Sequence, residues 1–199
     1  MNGSREHIIK KATILFLQKS YKSVTMKEIV ESTGLSKGAF YHYFPSKESL
    51  FLEIVETYLK MLLIDFDKFS KNSLDEFYHD YIDISYKKFL QLKEFLEDTN
   101  DEDDLTYITL TFDAINLLPG FNERVKQLHM KELSAWENVV QLSIERGEIK
   151  SSMTPIQIAK LFVYASDGIG QRLIMEGQFK SIEDELLDLW NGLYNDLKA

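Results

Sequence analysis

Thr25–Lys47, TMKEIVESTGLSKGAFYHYFPSK, decides how the rest of the chain is read. Thr25 followed three residues later by Glu28 is the spacing of a capping box: the hydroxyl accepts from an amide of the first helical turn, and the carboxylate accepts from the Thr25 amide. A helix is expected to begin there. Met26, Ile29 and Val30 share one face, and Gly34 stands where a helix can end at positive φ without steric penalty. Ser36 is placed to cap a second short helix, Lys37 to Phe44, which Pro45 closes because it has no amide to donate. Two short helices joined by a tight glycine turn make a helix-turn-helix. In that motif the second helix enters the major groove with its first residues forward, so Lys37, Gly38, Ala39, Tyr41 and His42 form the candidate DNA-facing set. Phe40 and Phe44, four apart, face the other way.

The same stretch resembles the DNA-binding domain of TetR/AcrR-family transcriptional regulators. The resemblance is carried by the Thr25-to-Ile29 opening, the Thr33-Gly34-Leu35-Ser36 turn, the Gly38-to-Phe44 helix and Ser46-Lys47-Glu48-x-Leu50. Its most specific part is the aromatic run Phe40-Tyr41-His42-Tyr43-Phe44 followed at once by Ser46-Lys47-Glu48. It covers roughly the first quarter of the chain, and beyond Leu50 only length and helical character fit. The resemblance implies that hydroxyls of Tyr41 and Tyr43 reach phosphates, that Lys27 can reach a base edge, and that His42 stands at a base-reading position. Lys37 and Lys47, each at the start of a helix where amides also attract anions, are expected to contact phosphate or bases. Thr25 caps its helix and can bond a phosphate as well. The plainer readings are solvated lysines and packing aromatics.

Charge is distributed to suit this reading. The 199 residues carry a net charge of −9. Residues 1–47, however, hold eight basic groups (Arg5, Lys10, Lys11, Lys19, Lys22, Lys27, Lys37, Lys47) against three acids (Glu6, Glu28, Glu31), a local charge of +5 that leaves −14 on the remainder. Phosphate attraction is confined to the head. Hydrophobic residues make up 44% of a chain without cysteine, which points to a globular protein with no disulfide or thiolate metal site, at home in a reducing cytoplasm. MNGSREHIIKK lacks the apolar stretch of a signal peptide, and no apolar run approaches the ~18 to 20 residues of a membrane span.

Periodicity extends the helical reading along the whole chain. Ile8, Ala12, Leu15 and Phe16 place an apolar stripe on a first helix that completes a three-helix head. Ser46 caps a fourth helix expected to run unbroken to about Phe69, a rigid link from head to body. Asn72-Ser73 with Glu76 has the form of a second capping box, and Glu97 to Asp104 reads as a solvated acidic loop. Further helices follow at Leu105 to Leu118, Phe121 to about Arg146, Thr154 to Glu176 (ended by Gly177), and from Ser181 onward. No strand-period segment or internal repeat occurs. The expected fold is all-α with about nine helices, a helix-turn-helix domain at 1–47 and a helical ligand-binding and dimerisation domain at 48–199.

The body carries weaker signals. Tyr107, Phe112, Trp136, Phe162 and Tyr164 are candidates to line a small-molecule pocket, although aromatics at helical spacing are more often core. Gly168 and Gly170 within one helix suggest a close helix approach or a local distortion. The resemblance implies that the last two helices pair with those of a second chain, which makes Gly168, Leu186, Trp190, Leu193 and Leu197 the expected dimer interface. Glu76 and His79, three apart, share a helical face, but the spacing that carboxylate-bridged metal bundles use twice occurs here once and Glu76 is more simply explained by its cap, so no metal or other cofactor is expected. HExxH, P-loop and nucleophile-elbow motifs are all absent, and no enzyme is expected. The reading is a homodimeric regulator, most simply a repressor, released from double-stranded operator DNA by an unidentified small-molecule effector, with no membrane partner. The alternative is a nucleoid-organising or interaction protein with the same head and no inducer cavity.

Overall fold

A computed structural model describes residues 2–96, 107–176 and 182–199. Among them the regular elements are helical: α1 Asn2–Ser23, α2 Met26–Thr33, α3 Lys37–Tyr43, α4 Lys47–Leu62, a 3₁₀ turn Phe66–Lys68, α5 Leu74–Leu96, α6 Tyr107–Leu117, α7 Phe121–Glu145, α8 Pro155–Met175 and α9 Ile182–Leu197. The all-α expectation of about nine helices holds. The acidic run at 97–104, Gly177 and Ser181 lie outside the described residues.

One boundary differs. α4 ends at Leu62, and Leu63 is extended at ψ 121°, rather than the helix continuing to Phe69. Asp65 accounts for the break, because its side chain accepts the Asp67 amide at 3.3 Å and starts the 3₁₀ turn. A short carboxylate that bonds nearby amides offers the backbone an alternative to continued helix.

The chain forms two compact units, Met1–Leu63 with Lys88–Asn122, and Ile64–Lys87 with Glu123–Ala199. In the first, α1 packs against α2, α4 and α6, and α6 also meets α4. Phe16 and Phe51 meet edge to face at 5.4 Å, and Ile8, Ala12, Ile29, Phe40 and Leu50 are fully buried. α6 thus belongs with the head helices, which the charge distribution gave no reason to expect.

The second unit is built around aromatic rings. Trp136 of α7 stacks on Phe162 of α8 at 5.1 Å and meets Trp190 of α9 at the same distance, with Phe77 of α5 at 5.0 Å. Leu186, Trp190 and Leu197, expected at an interface between chains, are instead buried in this core. They fall on the face of α9 that turns toward α8 and α5, so one chain already covers their apolar area. Leu193 packs at the edge of the same core, and Gly168 is exposed. A Cβ at Gly168 or Gly170 would meet nothing within 4 Å, so no close helix approach inside the chain explains either glycine.

Candidate DNA-binding site

The helix-turn-helix begins as its sequence dictates. Thr25 accepts the Glu28 amide at 3.2 Å, and the Glu28 carboxylate accepts the Thr25 amide at 2.8 Å. Lys19 adds an ion pair to Glu28 at 3.1 Å. The Glu28 carboxyl is held down at about 2, first by the Thr25 amide and then by the Thr25 hydroxyl and Lys19. Gly34 ends α2 at φ 67°, where a side chain would be strained, and its amide donates to the Glu31 carbonyl. Ser36 then caps α3 by accepting the Ala39 amide at 3.3 Å.

α3 is anchored from behind. Phe40 and Phe44 are buried on one face, and the Arg5 guanidinium lies 5.2 Å from the Phe44 ring centre while pairing with Glu53 of α4. His7 Nε2 is 3.1 Å from the Thr33 carbonyl, which ties α1 to the turn. On the opposite face Lys37, Gly38, Ala39, Tyr41 and His42 are all exposed. This clustering follows from the helical period, which separates residues 40 and 44 from their neighbours. Lys37 has no acidic partner among the described residues, and its ammonium lies 5.9 Å from the Tyr41 ring centre. Tyr43 is half-buried, its ring 5.3 Å from that of His42. Lys27, exposed on α2, pairs loosely with Glu31 at 3.8 Å.

Lys47 is placed differently from Lys37. Its ammonium donates to the carbonyls of Tyr21 at 3.0 Å and Val24 at 2.9 Å, and lies 4.1 Å from the Tyr21 ring centre. Two of its three donors therefore hold the connection between α1 and α2, leaving one for a phosphate. The Tyr21 hydroxyl donates to Glu48 at 2.9 Å and is pushed up to about 12, by burial first and Glu48 second.

The pocket candidates do not form one lining. Trp136 and Phe162 stack on each other in the core of the second unit, whereas Phe112 and Tyr164 are exposed at 60% and 49%. Tyr107 opens α6, and its side chain lies outside those described. A polar group that periodicity alone does not single out lies in the second unit. The Tyr81 hydroxyl donates to Glu132 at 2.8 Å, and burial raises the carboxyls of Glu132 and Asp167 against a lowering influence of His129. The Tyr81 ring adjoins Trp136 at 5.4 Å and Trp190 at 5.5 Å, and both indole N–H groups are buried with no hydrogen-bond partner among the described residues, as is the Ser85 hydroxyl. Its sequence trace is a Tyr and a Ser four apart on α5. Among the described residues no group of three His, Asp or Glu side chains could hold a metal ion.

Comparison with known proteins agrees with this geometry. Residues 8–54 match the model of bacterial regulatory proteins of the tetR family. The chain is 35% identical over 133 residues to the uncharacterized HTH-type transcriptional regulator YerO of Bacillus subtilis (strain 168), a match spanning 66% of this chain and 42% of that protein. It is 29% identical over 171 residues to the uncharacterized HTH-type transcriptional regulator YfiR of the same organism, spanning 84% and 78% respectively. Its fold is similar to that of PfmR, a TetR-family transcriptional regulator from Thermus thermophilus, with a TM-score of 0.67 at 19% identity over 94% of this chain and 97% of that one. These relatives are transcriptional regulators rather than enzymes. With the capped α2, the Gly34 turn and the exposed row on α3 already in place, the matches identify residues 8–54 as the regulatory domain of the tetR family and support a TetR-family transcriptional regulator.

Proposed function

We propose that the protein is a homodimeric, ligand-responsive repressor whose two heads, built from residues 1–47, each read one half of a near-palindromic operator. The observation that carries this reading is the exposed row Lys37, Gly38, Ala39, Tyr41 and His42, held outward by buried Phe40 and Phe44. Thr25, Lys27, Tyr43 and Lys47 flank that row, and we assign them phosphate or base contacts. Two heads must reach successive major grooves about 34 to 36 Å apart, which calls for a dimer. The apolar stripe left exposed on α8 supports one: Leu161, Tyr164, Gly168 and Met175 share a face, and Leu189 of α9 is exposed as well. A small-molecule effector is proposed to act through the body, 48–199, where Tyr81 and Glu132 supply polar contacts among aromatic rings. Linkage requires that the effector weaken DNA binding by the factor by which DNA weakens effector binding.

Selection of bound duplexes from a random DNA pool, followed by salt titration, tests the DNA surface. Lys37→Ala is expected to lower affinity for the selected duplex and to reduce the salt slope by about one counterion. Equal affinity of variant and wild type at every salt concentration rejects the assignment of α3. The close stacking of Trp136 on Phe162 favours the second reading, a DNA-organising protein with no inducer cavity. Release of the selected duplex by a metabolite from a screened panel decides for the repressor.

A further inference from the structure

α1 does not reach its end as regular helix. Ser20 has φ 64° and ψ 158°, a region that glycine populates and L side chains avoid, and it is the only non-glycine residue at positive φ among those described. The kink turns the amide of Tyr21 toward α6, where it donates to Oδ2 of Asp113 at 2.7 Å. Tyr21 is then fixed on every side. Its ring lies between Phe16 at 5.6 Å and Phe51 at 4.8 Å, its hydroxyl donates to Glu48, and its carbonyl accepts from Lys47. Residues 21–24 lead directly into the Thr25 cap of α2, so the kink sets where the helix-turn-helix departs from α1 and how it lies against α4. α6 is tied to α4 as well, through a hydrogen bond between Thr111 and Tyr58.

A conformation of this kind persists only where its surroundings over-determine it. Phe16, Phe51, Lys47 and Glu48 hold the Tyr21 side chain and carbonyl, but the amide next to the strained residue is held by one carboxylate. We infer that Asp113 is a positioning residue for DNA binding: by accepting the Tyr21 amide it keeps Ser20 kinked, and so keeps α2 and α3 in register with α4. Without that acceptor Ser20 relaxes toward helix and the exposed row on α3 shifts relative to the first turn of α4. This inference rests on the DNA-binding reading above.

Four full-length variants test it: Asp113→Ala, Asp113→Asn, Ser20→Gly and the double variant Ser20→Gly/Asp113→Ala, each checked for helicity and measured against the selected duplex. Asp113→Ala is expected to weaken binding about tenfold, or about 1.4 kcal/mol. Asp113→Asn keeps a side-chain oxygen that accepts the same amide and is expected to bind within about twofold of wild type. Ser20→Gly adopts the kink without strain, so in that background loss of Asp113 is expected to cost only about threefold. Amide exchange at Tyr21, followed by NMR, should accelerate in Asp113→Ala and recover in Asp113→Asn. Wild-type affinity in Asp113→Ala overturns the proposal, as does an undiminished loss in the Ser20→Gly background or unchanged exchange at Tyr21. Should Asp113→Ala not fold, the double variant and Asp113→Asn carry the comparison. Should no duplex be enriched at all, the DNA reading fails, and Tyr21 exchange still decides whether Asp113 holds the kink.

Discussion

Two side chains at the head show how one residue can serve both cap and contact. Glu28 lies at the surface, yet its carboxyl sits at about 2 against an ordinary 4.5, because the Thr25 amide, the Thr25 hydroxyl and Lys19 all favour the charged form. A depressed carboxyl adds stability that is complete above the unfolded value and fades as pH falls toward the folded one. Glu28→Gln should therefore flatten the stability profile between pH 4.5 and about 2 and leave its shape near neutrality unchanged, as read by thermal unfolding across that window. Lys47 makes a different point. Sequence position alone presents it as a phosphate ligand, whereas its ammonium already bonds the Tyr21 and Val24 carbonyls. Lys47→Ala is expected to lose about 1 to 3 kcal/mol of stability together with DNA affinity, because charge-assisted bonds to two carbonyls disappear. Lys37→Ala, which removes no described hydrogen bond, should lower affinity alone. Denaturant unfolding of the two variants side by side separates these outcomes.

Helix ends reveal where local pattern is sufficient and where it is not. At α2, α3 and α4 the caps Thr25, Ser36 and Ser46 each accept from an amide three residues ahead, as their spacing requires. At α5 the same pattern is only half realised. Ser73 accepts the Glu76 amide at 3.0 Å, but the Glu76 carboxylate takes the Ser70 hydroxyl and the Asn72 side-chain amide instead of returning to Ser73. The open amide of Leu74 is satisfied by Glu148 at 2.9 Å, and the same carboxylate accepts the Tyr194 hydroxyl at 3.0 Å. A cap supplied from 74 residues away leaves no trace in local sequence. It also joins the start of α5, the α7–α8 connection and α9. Glu148→Ala should cost about 2 kcal/mol, because it strips a charged acceptor from a helix N-terminus and from a tyrosine at once. Urea unfolding measures that loss, and an effect below a few tenths would mean that water replaces the carboxylate.

For the whole molecule, pairing of two chains turns on which apolar faces one chain leaves uncovered. Leu186, Trp190 and Leu197 are buried in their own chain, so the exposed stripe on α8 is the surface to test. Leu161→Asp and Leu189→Asp change residues exposed at 43% and 47%, and should leave the fold intact while shifting sedimentation from dimer to monomer and abolishing operator binding. Variants that remain dimeric would move the interface elsewhere. Leu193→Asp is a poorer probe, since Leu193 packs against the core and its loss would confound folding with assembly. The amino-acid sequence by itself determined the all-α class, the capped helix-turn-helix and the outward row on α3, because caps, glycine turns and helical period act over three to seven residues. Only the tertiary structure decided that α4 stops at Leu62, that Lys47 serves the α1–α2 connection, that the apolar face of α9 is covered within the chain, and that Asp113 accepts the amide beside the kink at Ser20. Each of those depends on groups brought together from distant segments, and which of several possible partners a side chain meets is settled by packing rather than by spacing.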